Sequence, residues 1–125
     1  KVDYVKYNPG KFFAAYNDKA SHLNEQTEIA MTAKGGQKII FKQIAGIIAR
    51  RIVCNLAEGD DVSAGERFGL IRFGSRVELI VPVSTELEVK INDRVAGGKT
   101  VIGYLAKLGI AANQEKSPGG SVAEL

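Results

Sequence analysis

The chain has one cysteine, one histidine, three prolines and no tryptophan in 125 residues. A single thiol, Cys54, excludes an internal disulfide and fits a reducing compartment. Its neighbours Ile52 and Val53 are apolar, so it reads as a buried structural thiol. Neither sign of charge dominates: 17 Lys and Arg stand against 14 Asp and Glu, a net charge of +3. That is too mild to argue for nucleic acid, and no basic run is interleaved with aromatics. It permits a weak attraction to anionic lipid headgroups. No apolar run is long enough to cross a bilayer as a helix, which takes roughly 20 residues. The longest, Ile44 to Ala49, is interrupted by Gly46 and closed by Arg50-Arg51. No leader pattern is visible either. The chain opens on Lys1, directly inside a strand-like pattern, which suggests a piece of a longer protein.

What is present is an ordinary globular composition, 45% hydrophobic and 25% charged, of a length that suits one domain. Val, Ile, Phe and Tyr gather in short runs bounded by Gly, Asn, Asp or Pro, the mark of an all-β fold. Strands are predicted over residues 2–7, 28–32, 38–44, 47–55, 67–73, 76–81, 87–91 and 100–105, with a hairpin turn at Gly35-Gly36. Residues 39–53 also place isoleucines at helical spacing. Gly46 and the density of β-branched residues favour two strands meeting at a sharp corner there. Residues 12–20 read as a loop or a short helical turn. One catalytic domain over 1–110 is expected, followed by a flexible tail, 111–125, rich in small and polar residues.

An internal echo supports this reading. Gly59-Asp-Asp-Val-Ser-Ala-Gly65 is repeated as Asn92-Asp-Arg-Val-Ala-Gly-Gly98 at a constant offset, each followed by an apolar strand. Such a pair of half-motifs is similar to the barrel-sandwich architecture of lipoyl and biotinyl carriers. Those carriers present a lysine at a hairpin tip, and no Met-Lys pair stands at a hairpin here. A non-catalytic carrier or binding module therefore remains as the alternative function, resting on architecture alone.

The most telling segment is Gly65-Glu-Arg-Phe-Gly-Leu-Ile-Arg-Phe-Gly-Ser-Arg-Val77. Ser75, between a glycine and apolar neighbours, suits neither a turn nor a core. It makes sense if the Gly74–Ser75 bond is itself the reactive object, the missing Cβ of Gly74 allowing the strained backbone such chemistry needs. A Gly-Ser pair alone is a weak signal. Tyr7-Asn-Pro-Gly-Lys-Phe-Phe13, Ala15-Tyr-Asn-Asp-Lys-Ala-Ser21, Asn24-Glu25 and Gln43-Ile-Ala-Gly-Ile-Ile-Ala-Arg-Arg-Ile-Val-Cys54 precede it in one order. Together, from about Val2 to Leu105, they closely resemble the phosphatidylserine decarboxylases, specifically the short type with a Phe-Gly-Ser-Arg cleavage motif.

The resemblance implies a C-terminal fragment of a pyruvoyl-dependent lyase. Ser75 attacks the carbonyl of Gly74, the amide becomes an ester, and β-elimination cuts the chain. Residues 1–74 then belong to a β-chain and 75–125 to an α-chain in a processed heterodimer. Ser75 remains as a pyruvoyl group, the only cofactor implied, and no metal is required. A serine-headed phospholipid, phosphatidylserine or its ether-linked archaeal counterpart, forms a Schiff base with it, loses carbon dioxide and leaves as the ethanolamine lipid. The implied location is the cytoplasmic side of the cell membrane, peripherally bound. The family's Asp and His for self-cleavage belong to a segment upstream of the one matching residues 2–7.

Candidate substrate-binding residues are Asn24, Glu25, Arg50, Arg51 and Arg76. A guanidinium fork fits a phosphodiester or carboxylate, though Arg50 and Arg51 read equally well as solvent-facing or paired with Glu58 or Glu66. Gln26 stands where the family commonly has arginine, which weakens the case for an anion site at Asn24-Glu25. His22 falls in a variable stretch and reads as an exposed loop residue, with proton transfer as the lesser alternative. Phe12-Phe13 and Ile47-Ile48 suit a core or a lipid contact. By itself the 125-residue chain is expected to be inactive.

Overall fold

The structure, a computed structural model, describes residues 1–48, 51–107 and 116–118. Its elements are β1 (Val2–Asn8), α1 (Ala20–Leu23), β2 (Gln26–Thr32), β3 (Lys38–Ile44), β4 (Ile52–Cys54), β5 (Gly69–Ile71), β6 (Arg76–Ile80), β7 (Glu86–Leu87), β8 (Gly103–Ala106) and β9 (Lys116–Pro118). The all-β expectation holds. β1, β2, β3 and β6 form one antiparallel sheet in that order, β4 pairs with β5, and β8 lies between β7 and β9.

Alternation along β2 and β3 builds the core. Ile29 and Met31 on β2, with Ile39 and Phe41 on β3, share one face and pack with Val2, Phe68 and Leu105. Phe41 meets Phe68 edge to face, ring centres 5.0 Å apart, the geometry that sets a ring's positive edge against its neighbour's negative face. Each such buried side chain contributes about 1.5–3 kcal/mol through the water it sheds. The β2–β3 hairpin closes where expected: Gly36, at φ 88°, donates its N–H to Ala33 O over 2.9 Å.

The sequence echo is a true structural pair. The Asp60 carboxylate accepts from the Ala57 N–H at 2.8 Å, as Asp93 does from Lys90 at 3.0 Å. Glu66 and Lys99 each donate their N–H to the residue three before, both at 3.1 Å. Left-handed φ values recur at Gly59 with Asn92 and at Gly65 with Gly98. The two turns meet, since a methyl on Gly65 would stand 3.1 Å from Gly98 O.

Several predicted strands shrink, 67–73 to β5 and 100–105 to the start of β8 among them. In the 47–55 stretch the described strand is β4, extended by the Asn55 N–H donating to Phe68 O at 2.7 Å, while Ile47 and Ile48 form an exposed bend. In the 87–91 stretch Leu87 pairs with Gly103 and the Glu88 N–H donates to Ile102 O at 2.9 Å, while Ile91 is left exposed before the Asn92 turn. Within the stretch expected as a tail, Lys116–Pro118 pair with β8; its other residues lie outside those described. Cys54 is half-buried against the core, and that burial pushes its thiol pKa up.

Candidate active site

The β3–β6 ladder sets Gln43 opposite Val77 and Ile44 opposite Arg76. Continued outward by the same register, Ala45 faces Ser75 and Gly46 faces Gly74. On its other side Ala45 donates its N–H to Glu25 O at 2.9 Å, so the corner after β3 is held between two neighbours. Phe73 and Gly74 make the turn between β5 and β6, Gly74 with φ 86°, a left-handed conformation that favours glycine. Ser75 follows, half-buried, immediately before β6.

Three segments surround this turn. Residues 14–16 form one wall, Ile47 and Ile48 another, and Gly74 with Ser75 a third, enclosing an open cavity of about 350 Å³. Its surface is mainly apolar, and its rim carries apolar side chains in water: Tyr16 is 90% exposed and Ile48 73%. Phe73, 89% exposed, adjoins them through the turn it makes with Gly74. Tyr16, Ile47, Ile48 and Phe73, four exposed large apolar residues gathered at and beside one cavity, suit a non-aqueous partner. Among the described residues lining the cavity, none carries a carboxylate or imidazole.

The predicted site residues divide by role. Gly74 and Ser75 lie on the cavity. Arg76 adjoins it: its Nη1 makes a long, 3.4 Å hydrogen bond to Ala15 O, and its Nη2 pairs with Glu78 at 3.2 Å. Asn24 is buried behind the walls. Its Nδ2 donates to Phe13 O at 2.8 Å and to Ala45 O at 2.6 Å, and its Oδ1 accepts from the Phe13 N–H at 2.8 Å. One amide therefore joins the 13–16 loop to the corner after β3. Glu25 bonds Lys11 and Ala45 through its backbone. Its carboxylate accepts a hydrogen bond from the Tyr7 hydroxyl, which raises the Tyr7 pKa. Arg51 is exposed just before β4, and Arg50 lies outside the described residues. His22 is exposed on α1 and does not line the cavity.

Sequence reasoning did not single out Ala14, Ala15 or Tyr16 as a wall, or Gly46 as part of the site. A signal existed for Gly46: a glycine inside an otherwise β-branched run marks a place where another backbone comes close.

Comparison with known proteins agrees with this geometry. The family model described as phosphatidylserine decarboxylase matches residues 1–103, which span the cavity and the Gly74–Ser75 bond. The chain belongs to the phosphatidylserine decarboxylase family. It is 51% identical over 111 residues to the phosphatidylserine decarboxylase proenzyme of Rickettsia akari (strain Hartford), covering 89% of this chain and 48% of that protein. With the proenzymes of Rickettsia africae (strain ESF-5) and Rickettsia bellii (strain OSU 85-389) it shares 54% over 102 residues, 82% of this chain and 44% of each relative. The chain thus spans about half the length of the curated phosphatidylserine decarboxylases it matches. No solved structure matches it.

Proposed function

We propose that the full-length protein containing this chain is a pyruvoyl-dependent phospholipid decarboxylase, matured by scission at Gly74–Ser75, that converts a phosphatidylserine-type lipid to the ethanolamine lipid and carbon dioxide. The observation that carries this reading is the placement of a left-handed Gly74 and a half-buried Ser75 on an apolar, open cavity. Family membership supports it.

Maturation consumes nothing beyond the full-length protein's own atoms and water. Ser75 Oγ bonds to the Gly74 carbonyl carbon, the C–N bond breaks, and the hydroxyl proton ends on the freed nitrogen. Loss of the Ser75 Cα proton then expels Gly74 as a carboxylate from Cβ. Water adds to the resulting enamine as its imine tautomer, ammonia leaves, and a pyruvoyl group remains at 75. The residues fit such a group. A Gly74 side chain would find no heavy atom within 4 Å, so the new carboxyl end has space to withdraw, while position 75 keeps its place on the cavity.

That group supplies an electrophilic carbonyl for the substrate amine and a sink for the electron pair released with carbon dioxide. Ala14, Ala15, Ile47 and Ile48 keep water from the substrate carboxylate, which favours its loss as a neutral molecule. Tyr16, Ile48 and Phe73, exposed beside the cavity, meet the lipid surface, and the protein binds the membrane peripherally, from the cytoplasmic side. Arg51, together with Arg50, takes the anionic headgroup, while Arg76 braces the 14–16 wall. Asn24 and Glu25 hold the walls in place.

Intact-mass analysis of the full-length protein tests the reading. The expected result is two chains, the second starting at 75 with a blocked end that borohydride converts to lactyl. Phosphatidylserine vesicles should yield the ethanolamine lipid and carbon dioxide. A single uncut chain, or a free serine amine at 75, would refute it.

A further inference from the structure

Two glycines face each other across the end of the β3–β6 ladder, and they are glycine for opposite reasons. Gly74 has φ 86°, a conformation that disfavours a side chain, yet a Cβ there would meet open space. Gly46 is not among the residues with positive φ, so its backbone could accept any L residue. What bars a side chain at 46 is space. A methyl built on Gly46 lands on the Gly74 carbonyl oxygen, inside any van der Waals contact, and 3.0 Å from the Gly74 carbonyl carbon. Its other near neighbour, the Ala15 Cβ at 3.5 Å, is in ordinary contact. The conflict is therefore with one peptide group, the one joining Gly74 to Ser75.

We infer that Gly46 is a positioning residue for chain scission: its bare, buried Cα is the abutment on which the Gly74 carbonyl rests while Ser75 Oγ attacks it. This rests on the reading of Gly74–Ser75 as the scissile bond. The attack turns the Gly74 oxygen into an oxyanion and its carbon into a tetrahedral centre. Both atoms are located by the corner at 46, which is itself fixed because Ala45 is bonded to Glu25 on one side and to Asn24 on the other. A side chain at 46 pushes the carbonyl away from its place relative to the serine, and a displacement of about 1 Å at a reacting centre can cost about a hundredfold in rate. Substrate turnover uses position 75 and not the Gly74 carbonyl, so Gly46 acts on maturation and not on the later decarboxylation.

The test is Gly46→Ala in the full-length protein, followed by gel and intact mass over time. Scission should slow by about a hundredfold or more. Hydroxylamine cuts esters, and so releases a Gly74 hydroxamate only from molecules that have passed the acyl shift. The variant should release none, whereas a variant slowed only in β-elimination would release it. Scission or hydroxamate release at the wild-type rate overturns the inference. A second measurement requires no change at 46 and decides the matter should the variant fail to fold. With glycine labelled, the Gly46 Hα resonances of uncut Ser75→Ala protein should differ from those of the processed protein, because the carbonyl lying over them has withdrawn. Identical resonances overturn the inference. If the wild-type protein itself is never cut, it is the underlying reading of the scissile bond that fails.

Discussion

Asn24→Ala in the full-length protein separates two roles for one side chain. The sequence reading puts Asn24 on the substrate, whereas the structure buries it, 1% exposed, as the amide that joins Phe13 to Ala45. Truncation removes three hydrogen bonds and leaves Phe13 N–H, Phe13 O and Ala45 O without this partner. At ~1 kcal/mol each the loss is about 3 kcal/mol. For a protein of the relatives' length, 1 kcal/mol moves Tm by about 2–4 °C, so a fall of about 6–12 °C is expected. The assay is thermal melting in a Ser75→Ala background, where scission does not complicate the transition. Asn24→Asp sharpens it. The new carboxylate faces the oxygens of Phe13 and Ala45, so burial and those dipoles raise its folded pKa above the ordinary value near 3.9. A raised acid pKa gives a stability contribution that is complete below the unfolded pKa and is lost as pH rises through the folded one. The Asp variant should therefore be closest to its parent near pH 4 and weaken towards neutrality. A Tm within about 2 °C of the parent, with a raised KM in an otherwise wild-type background, would refute the clamp and restore the substrate-contact role.

Ser75→Ala should abolish both scission and decarboxylation while shifting Tm little, since one half-buried oxygen is lost; decarboxylation surviving the change would end the covalent mechanism. Tyr4 donates to Glu28 at 2.7 Å, which raises its pKa, so ultraviolet titration should show Tyr4 ionising late and Glu28→Gln bringing it back towards 10. The linked stability is complete below the ordinary tyrosine pKa and is lost as pH rises through the raised one. Residues 1–125 alone should remain uncut over hours by mass spectrometry, because no carboxylate or imidazole among the described residues lines the cavity to deprotonate Ser75; splitting at 74–75 would show that a base lies within the chain.

Much of the sheet was legible because strand signals are local. The apolar, β-branched run in 38–44 placed β3 to the residue, and Gly35-Gly36 marked its hairpin. The echo between Asp60 and Asp93 announced two like turns, since an aspartate three residues on can cap the same N–H wherever it recurs. Ile47 and Ile48 misled for an equally physical reason. Their β-branched side chains suit a strand, but they lie past the end of the ladder, in an exposed bend that borders the cavity.

By itself the sequence determined the all-β class and the paired half-motifs, and it pointed to the Gly74–Ser75 bond, because each is written in neighbouring residues. Only the tertiary structure decided what stands against that bond. Gly46 meets Gly74 through the register of β3 with β6, and that register is set by pairings between residues over thirty positions apart, beginning with Ile44 and Arg76. Asn24 takes its place as a clamp because its three bonding partners come from Phe13 and Ala45, segments joined only when the loop folds over the sheet. An amide's bonding depends on who its neighbours are in space, and no spacing along the chain encodes that.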